Sequence, residues 1–211
     1  MKKIKYSLTQ YPFEEIIKNL FNCSDLSMIH TQWKSDYDLF TDVRTDTHTE
    51  FHKHFYNNIT DTNFYSVYTK FMKEQVQPLF NEPIIYQKIP SFRVQLPSNV
   101  GVAQFHKDRD YQHSTHEINF FIPITNAIGN NTIWVESEED KADYAPMNTF
   151  IGEFVKWDGA NLKHGNKIND TGNTRVSFDF RVMPMSKYED NDRESVSVNT
   201  KMKIGEYWKS L

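Results

Sequence analysis

A succession of short segments rich in β-branched and aromatic residues, beginning after Pro90, constrains the fold of this chain most strongly. Such residues favour strands, and the Gly, Pro, Asn and Asp residues between the segments favour turns. The pattern therefore predicts a series of short antiparallel strands. These predicted strands cover residues 92–96, 102–106, 117–125, 132–135, 149–155 and 174–183.

The residues before this region follow a helical pattern. Apolar side chains recur at i, i+3, i+4, i+7 and i+8 from Phe13 and again from Phe64, with Pro12 as a first helical residue and Asn63 as an N-cap. Helices followed by strands predict a mainly β fold with an N-terminal α part, a β-sandwich or jelly roll with helices packed on one outer face. We expect one domain, made of a helical part (1–85), a β core (90–184) and a C-terminal extension (185–211).

The composition of the chain limits the kinds of molecule that it is expected to bind. The formal net charge is −4, from 24 basic and 28 acidic side chains, which argues against a dedicated nucleic-acid binder. Cys23 is the single cysteine, so the chain can form no intramolecular disulfide, and no apolar run is long enough to span a bilayer. We expect a cytoplasmic protein that binds a small polar molecule and neither nucleic acid nor membrane. The sequence leaves the oligomeric state open.

Three positions carry metal-binding chemistry. His106 and Asp108 stand two residues apart, so that in an extended strand both side chains would point to the same face. A second imidazole from a distant strand would complete a facial triad of two histidines and one carboxylate. This arrangement binds Fe(II) and leaves positions for a bidentate co-substrate and for O2. His164 is the candidate for the third ligand, and we predict an iron site at these residues.

A candidate anion anchor follows the third ligand. Arg175 and Ser177 lie two residues apart in the last predicted strand and so share a face. The planar guanidinium of arginine can bind a carboxylate through two parallel hydrogen bonds, and the serine hydroxyl adds a donor. The pair therefore predicts a binding point for a dicarboxylate beside the metal.

Together these residues resemble the Fe(II)- and 2-oxoglutarate-dependent oxygenases, and the resemblance covers roughly residues 90–184. Within that superfamily the chain looks most like the small hydroxylases associated with streptomycin biosynthesis, to judge from residues 105–111, 117–120 and 134–137. The resemblance implies a double-stranded β-helix core of the jelly-roll, cupin-like type. It also implies Fe(II) as cofactor, with 2-oxoglutarate and O2 as co-substrates.

The same resemblance assigns roles to individual residues. It makes His106, Asp108 and His164 the iron ligands, and Arg175 with Ser177 the anchor for the distal carboxylate of 2-oxoglutarate. Halogenating members of the superfamily lack the carboxylate ligand, so this chain is expected to hydroxylate, desaturate or close a ring. Two residues on core strands are further candidates for contacts with the co-substrate or substrate, namely Asn119 and Trp134.

The implied reaction is hydroxylation of a polar small molecule, with succinate and CO2 as co-products. A sugar, an aminocyclitol or an amino-acid derivative would fit, and the sequence does not choose among them. Polar residues near the expected mouth are the candidates for substrate contacts: Arg93, Arg109, Tyr111, His113 and Glu117.

Two other functions remain open. Arg175 and Arg181 reproduce the Arg-x5-Arg spacing of nucleic-acid demethylases of the alkylation-repair type, although Arg181 could instead pair with Asp179 or with an acid on a neighbouring strand. The acidic net charge argues against such a demethylase. A cupin-like isomerase or a metal-independent sugar-binding jelly roll is the other alternative. Cupins use more histidines and Gly-rich strands, whereas this chain has seven glycines.

Overall fold

The computed structural model describes residues 1–33, 49–101, 104–195 and 200–211. Most helices of this part of the chain precede most of its strands, as predicted. A π-helical turn over Met72–Val76, with both end residues buried, continues the last α-helix. None of the helices within the described ranges is long and apolar enough to cross a membrane. The α-helices are α1 (Phe13–Phe21), α2 (Ile29–Gln32), α3 (Glu50–Asn58) and α4 (Phe64–Phe71).

The strands form two antiparallel sheets. The larger sheet has the order β1-β7-β4-β9-β2-β10, with β3 also paired to β9, and the smaller sheet has the order β6-β5-β8. The fold is thus mainly antiparallel sheet with helices. The strands are β1 (Lys2–Lys5), β2 (Ile84–Gln87), β3 (Ser91–Gln95), β4 (Ile118–Pro123), β5 (Ile133–Val135), β6 (Ala145–Pro146), β7 (Glu153–Trp157), β8 (His164–Asn166), β9 (Arg175–Pro184) and β10 (Trp208–Ser210).

Strand β9 organises the larger sheet. It pairs with β4 along one edge, and with β3 and β2 along the other. Because successive side chains of a strand point to opposite faces, β9 presents one apolar and one polar row. The apolar row packs in the main core and consists of Val176, Phe178, Phe180 and Val182. The polar row lines a cavity on the other face and consists of Arg175, Ser177, Asp179 and Arg181.

The helices cover the apolar face of this sheet. Phe13 and Phe64 contact Phe178 with ring centroids 6.0 and 5.0 Å apart, and Phe55 stacks on Phe92 at 4.1 Å. Burial of each such side chain contributes about 1.5–3 kcal/mol. The prediction that helices pack on one outer face is confirmed. A smaller apolar cluster joins the other face to the small sheet, and it contains Phe121, Ala127, Val135, Met147, Val155 and Trp157.

The structure differs from the sequence prediction at several boundaries. The strand predicted at 102–106 is wrong over residues 104–106, where only His106 makes an isolated bridge; residues 102–103 lie outside the described part. Helix α1 begins after Pro12, which takes the N-cap position. Asn63 is the N-cap of α4 as predicted, but its side chain makes no capping bond, and the Thr62 hydroxyl accepts from the Phe64 amide instead.

Candidate metal centre

The two candidate histidine ligands lie directly opposite each other. His106 and His164 exchange two backbone hydrogen bonds, each 2.9 Å long, in an antiparallel bridge. Opposed residues of an antiparallel pair project their side chains to the same face. The two imidazole centroids are accordingly 4.6 Å apart.

Backbone carbonyls orient both imidazole rings. Nδ1 of His106 lies 2.8 Å from the Gln104 carbonyl oxygen, and Nδ1 of His164 lies 3.0 Å from that of Leu162. A carbonyl oxygen only accepts, so each Nδ1 carries a proton, and in the neutral form of each ring Nε2 has the lone pair. Burial lowers the pKa of His164 to about 4, which leaves this ring neutral at pH 7. Both Nε2 atoms are thus available to a metal ion.

Asp108 reaches the same point from a turn. It is the first residue of a short 3-10 helix, Asp108–Tyr111, so the expectation that it shares an extended strand with His106 is wrong. The chain turns here because the Asp108 amide donates to the Gly159 carbonyl at 3.0 Å, and because the Asp110 carboxylate accepts from the Lys107 amide at 3.1 Å. Oδ1 of Asp108 nevertheless lies 3.6 Å from each histidine Nε2.

The carboxylate of Asp108 is buried and ionised. Its Oδ2 accepts from Asn119 Nδ2 at 2.7 Å and from Arg181 Nε at 2.8 Å. Burial by itself would raise the pKa of Asp108, but the Arg181 guanidinium and the neighbouring histidines hold it well below its usual range. The three predicted ligands offer donor atoms that all lie within 4.8 Å of one another. Two neutral imidazoles and one carboxylate are a donor set suited to a first-row transition metal such as iron.

A cavity of about 70 Å³ adjoins the three ligands. Five charged side chains line it, three from arginines and two from aspartates. Arg93 pairs with Asp179 at 2.8 Å, as Arg181 does with Asp108. The guanidinium carbon of Arg175 lies 5.9 Å from the centroid of the Phe121 ring. The arginines outnumber the acids, so the cavity favours an anionic ligand.

Three buried polar atoms on the cavity wall have no hydrogen-bond partner among the described residues. They are Ser177 Oγ, Asn119 Oδ1 and Trp157 Nε1. Buried polar groups in folded proteins are almost always hydrogen-bonded, so three such atoms around one small cavity call for a polar ligand. Ser177 lines the same cavity as the three candidate metal ligands.

The predicted substrate residues fall into separate places. Arg93 lines the cavity, and the Tyr111 ring stands edge-on to His106 at 5.1 Å. Arg109 bonds to Asn161 Oδ1 at 3.1 Å and to Glu139. His113 and Glu117 form a buried pair, Nδ1 to Oε2 at 2.7 Å, beside a different cleft of about 480 Å³. The structure thus brings two of the five to the metal ligands.

The two predicted co-substrate residues also separate. Asn119 lines the cavity and bonds to Asp108. Trp134 lies outside the lining: its indole donates to the Gly129 carbonyl at 3.2 Å, and the Lys167 ammonium stands 3.3 Å above its ring. Sequence analysis missed Trp157, whose ring meets that of His164 edge-on at 4.6 Å. Its position next to the Asp158-Gly159 turn was the available signal.

Close backbone approaches make this geometry possible at two glycines. A Cβ on Gly159 would lie 2.6 Å from Cγ of Asn119, and a Cβ on Gly165 would lie 2.9 Å from the Phe105 ring. Gly159 therefore lets the Asn119 amide reach Asp108. Gly165 lets the segment that carries His106 run alongside β8.

Fold and site together define a mainly antiparallel β protein with a buried His-Asp-His cluster. The chain is 34% identical over 211 residues to the streptomycin biosynthesis protein StrG of Streptomyces griseus, in a match that covers 99% of this chain and 98% of that protein. It therefore belongs to the StrG family. No protein-family model matches the chain.

Solved structures support the fold. The non-heme alpha-ketoglutarate-dependent carbocyclase SnoK from nogalamycin biosynthesis superposes with a TM-score of 0.51 at 7% identity, over 86% of this chain and 77% of its own. The nickel complex of the non-heme monooxygenase ThoJ gives a TM-score of 0.47 at 11% identity, over 86% and 73%. At these identities the similarity to SnoK describes the fold alone, and the weaker one to ThoJ adds no argument.

Proposed function

We propose that this chain is a mononuclear non-haem iron enzyme that uses 2-oxoglutarate and O2 to hydroxylate a polar small molecule. The observation that carries the proposal is the convergence of ligand atoms from His106, Asp108 and His164 within 4.8 Å, beside a cavity that also contains Arg175 and Ser177. We further propose that the two sheets around this cavity form a double-stranded β-helix core.

The donor set fits Fe(II). His106 and His164 present Nε2 lone pairs because their Nδ1 protons are bound to carbonyls, and Asp108 presents a carboxylate oxygen between them. When bound there, iron would supply the oxidation of a C–H bond by O2, coupled to the decarboxylation of 2-oxoglutarate to succinate and CO2. The chain itself holds the ligands in place before the metal arrives.

The cavity suits a small dicarboxylate. Arg175 stands on the same face of β9 as Ser177, whose buried hydroxyl lacks a partner among the described residues. A guanidinium and a hydroxyl two residues apart can bind one carboxylate together. Asp179 is neutralised by Arg93 at 2.8 Å and therefore repels an incoming anion less. The roles assigned to Arg175 and Ser177 by resemblance are thus chemically consistent with their surroundings.

Apolar side chains form part of the wall of this cavity. Phe121, Ile133 and Trp157 contribute its non-polar wall, and Trp157 packs edge-on against His164. A water-poor surrounding strengthens each charge interaction inside. Tyr111, which is partly exposed beside His106, marks the side from which we expect the substrate to approach.

An anaerobic titration tests the proposal. Fe(II) and then 2-oxoglutarate are added to the purified protein, and the visible absorption of the ternary complex is followed. We expect a new absorption band with the wild type and none with His106→Ala, Asp108→Ala or His164→Ala. His116→Ala, at an exposed histidine that does not line the cavity, is the matched control and should behave as wild type. A wild-type protein whose Fe(II) complex does not respond to 2-oxoglutarate would sink the proposal.

A turnover assay then addresses the substrate class. Succinate release is measured against a panel of sugars, aminocyclitols and amino-acid derivatives, and incorporation of an oxygen atom from 18O2 identifies the product. A methylated oligonucleotide at physiological salt is included, since a net charge of −4 predicts poor binding to phosphate. Repair of that oligonucleotide with no response to any metabolite would favour the demethylase alternative.

A further inference from the structure

Arg181 connects the candidate metal ligand to a second buried acid. Its Nε lies 2.8 Å from Oδ2 of Asp108 and 3.8 Å from Oε2 of Glu117. That same Oε2 lies 2.7 Å from His113 Nδ1, and the other Glu117 oxygen accepts from the Ser114 amide at 2.9 Å. Asp108, Arg181, Glu117 and His113 are all buried. The four side chains form a continuous row of charged and polar groups that begins at the metal ligands.

Arg181 is held through both its backbone and its side chain. The backbone amide of Arg181 donates to Gln87 Oε1 at 3.3 Å, and Nη1 of its guanidinium donates to the Tyr207 hydroxyl at 3.4 Å. Its backbone is part of β9, paired directly with Asn119 of β4. Because both the backbone and the guanidinium of Arg181 are held, the guanidinium cannot move with the Asp108 carboxylate if that group rotates. The hydrogen bond to Arg181 Nε is therefore made only when Oδ2 is in its present position.

The two oxygens of Asp108 have different surroundings. Oδ2 accepts from Arg181 Nε and from Asn119 Nδ2, which engages both of its lone pairs. Oδ1 lies 3.6 Å from Nε2 of each histidine. We propose that Arg181 is a positioning residue that keeps Asp108 a monodentate ligand, by occupying Oδ2 so that only Oδ1 is offered to the metal.

This role has a consequence for the proposed function, on which it rests for the presence of a metal. A carboxylate bound through both oxygens would take one more position on the ion. Monodentate binding leaves that position for the co-substrate or for O2. Glu117 gives Arg181 a second acidic neighbour, because its Oε2 lies 3.8 Å from the Nε that bonds to Asp108.

Binding of Co(II) to the metal-free protein tests the proposal without turnover. Calorimetry gives the affinity, and the visible d–d absorption of Co(II) reports the coordination number. Arg181→Met should bind Co(II) roughly 10- to 100-fold more weakly, because Asp108 is then no longer held in the orientation that binds the metal. Its absorption should change as well, because the carboxylate can rotate and offer both oxygens. Arg181→Lys restores the charge and should recover part of the affinity.

Arg193→Met is the matched control. It removes an exposed guanidinium that donates to the Gln112 carbonyl and does not line the cavity beside the candidate ligands, so its Co(II) affinity should stay within about twofold of wild type. If Arg181→Met does not fold, Arg181→Lys and Arg181→Gln carry the same comparison of spectra.

The proposal is overturned if folded Arg181 variants keep the wild-type Co(II) affinity and spectrum, or if Arg193→Met loses as much affinity as they do. Failure of the proposed function is a separate result. In that case wild type binds Co(II) and Fe(II) normally, but 2-oxoglutarate does not alter the Fe(II) complex.

Discussion

Acid should destabilise the metal-free protein through His164. Burial lowers the pKa of this residue to about 4 in the folded chain, whereas a histidine in an unfolded chain titrates near 6.5. Above pH 6.5 the His164 ring is neutral in both the folded and the unfolded chain, so the stability contributed by the neutral ring is fully present. As the pH falls from 6.5 toward 4, the unfolded chain binds the proton first, so the free energy of unfolding decreases.

The size of the effect follows from the two pKa values. One pKa unit corresponds to about 1.4 kcal/mol, so the full difference is worth about 3 kcal/mol when the pH has passed below 4. Between pH 7 and pH 5 the loss from His164 alone is about 2 kcal/mol. The free energy of unfolding of a domain of this size is roughly 5–15 kcal/mol in total, so a loss of this size is readily measured.

Urea unfolding at pH 7, 6 and 5 in the presence of a chelator measures this loss of stability. Wild type is compared with His164→Gln, which cannot gain the proton, and with His116→Gln, which changes an exposed histidine. The stability of wild type and of His116→Gln should decline about 2 kcal/mol more over this range than that of His164→Gln. Parallel pH curves for wild type and His164→Gln would refute the reasoning, since the buried neutral ring would then contribute nothing.

Three further substitutions probe the anchor and the glycine contact. Arg175→Lys should raise the 2-oxoglutarate concentration for half-maximal absorption by roughly tenfold or more, because a point charge cannot reproduce the guanidinium fork; an unchanged titration would contradict the anchor. Ser177→Ala should raise it only about fivefold, for one lost hydrogen bond of about 1 kcal/mol. Gly159→Ala would place a Cβ 2.6 Å from Cγ of Asn119 and should displace its amide from Asp108. We expect about 1–3 kcal/mol lower stability in urea unfolding and weaker Co(II) binding, and wild-type values for both would contradict the contact.

Periodicity in the sequence predicted the features that depend on one strand or one helix alone. The alternation in β9 was visible because apolar Val176, Phe178 and Phe180 flank polar Ser177 and Asp179, and a two-residue period is independent of which strand lies alongside. Helices α1 and α4 were visible for the same reason at a period of 3.6. Strands β1 and β10 escaped because each is short and mostly exposed, so neither carries an alternating apolar pattern.

The structure brings His106, Asp108 and His164 together, but the local structure assumed for Asp108 was wrong. The turn at Asp108 depends on a hydrogen bond to the Gly159 carbonyl. Gly159 lies about fifty residues further along the chain, so local spacing in the sequence cannot reveal this contact. The partner of Arg181 was undetermined for a similar reason. Asp179 is its neighbour on the same strand face, but Asp179 pairs with Arg93, and Arg181 reaches Asp108 instead.

The cavity wall shows why register limits a sequence-based prediction of this site. Trp157 of β7 lies opposite Asn119 of β4, and Asn119 lies opposite Arg181 of β9, so that one residue from each of three adjacent strands forms a row. Cross-strand neighbours on one face lie within side-chain contact distance. This row brings the indole of Trp157 and the amide of Asn119 to the cavity and places two donors on Asp108. A shift of one residue in either pairing would turn the row to the apolar face, because side chains alternate. The ligands of this site could be found from their chemistry, whereas the residues that support them are defined only by the pairing of the strands.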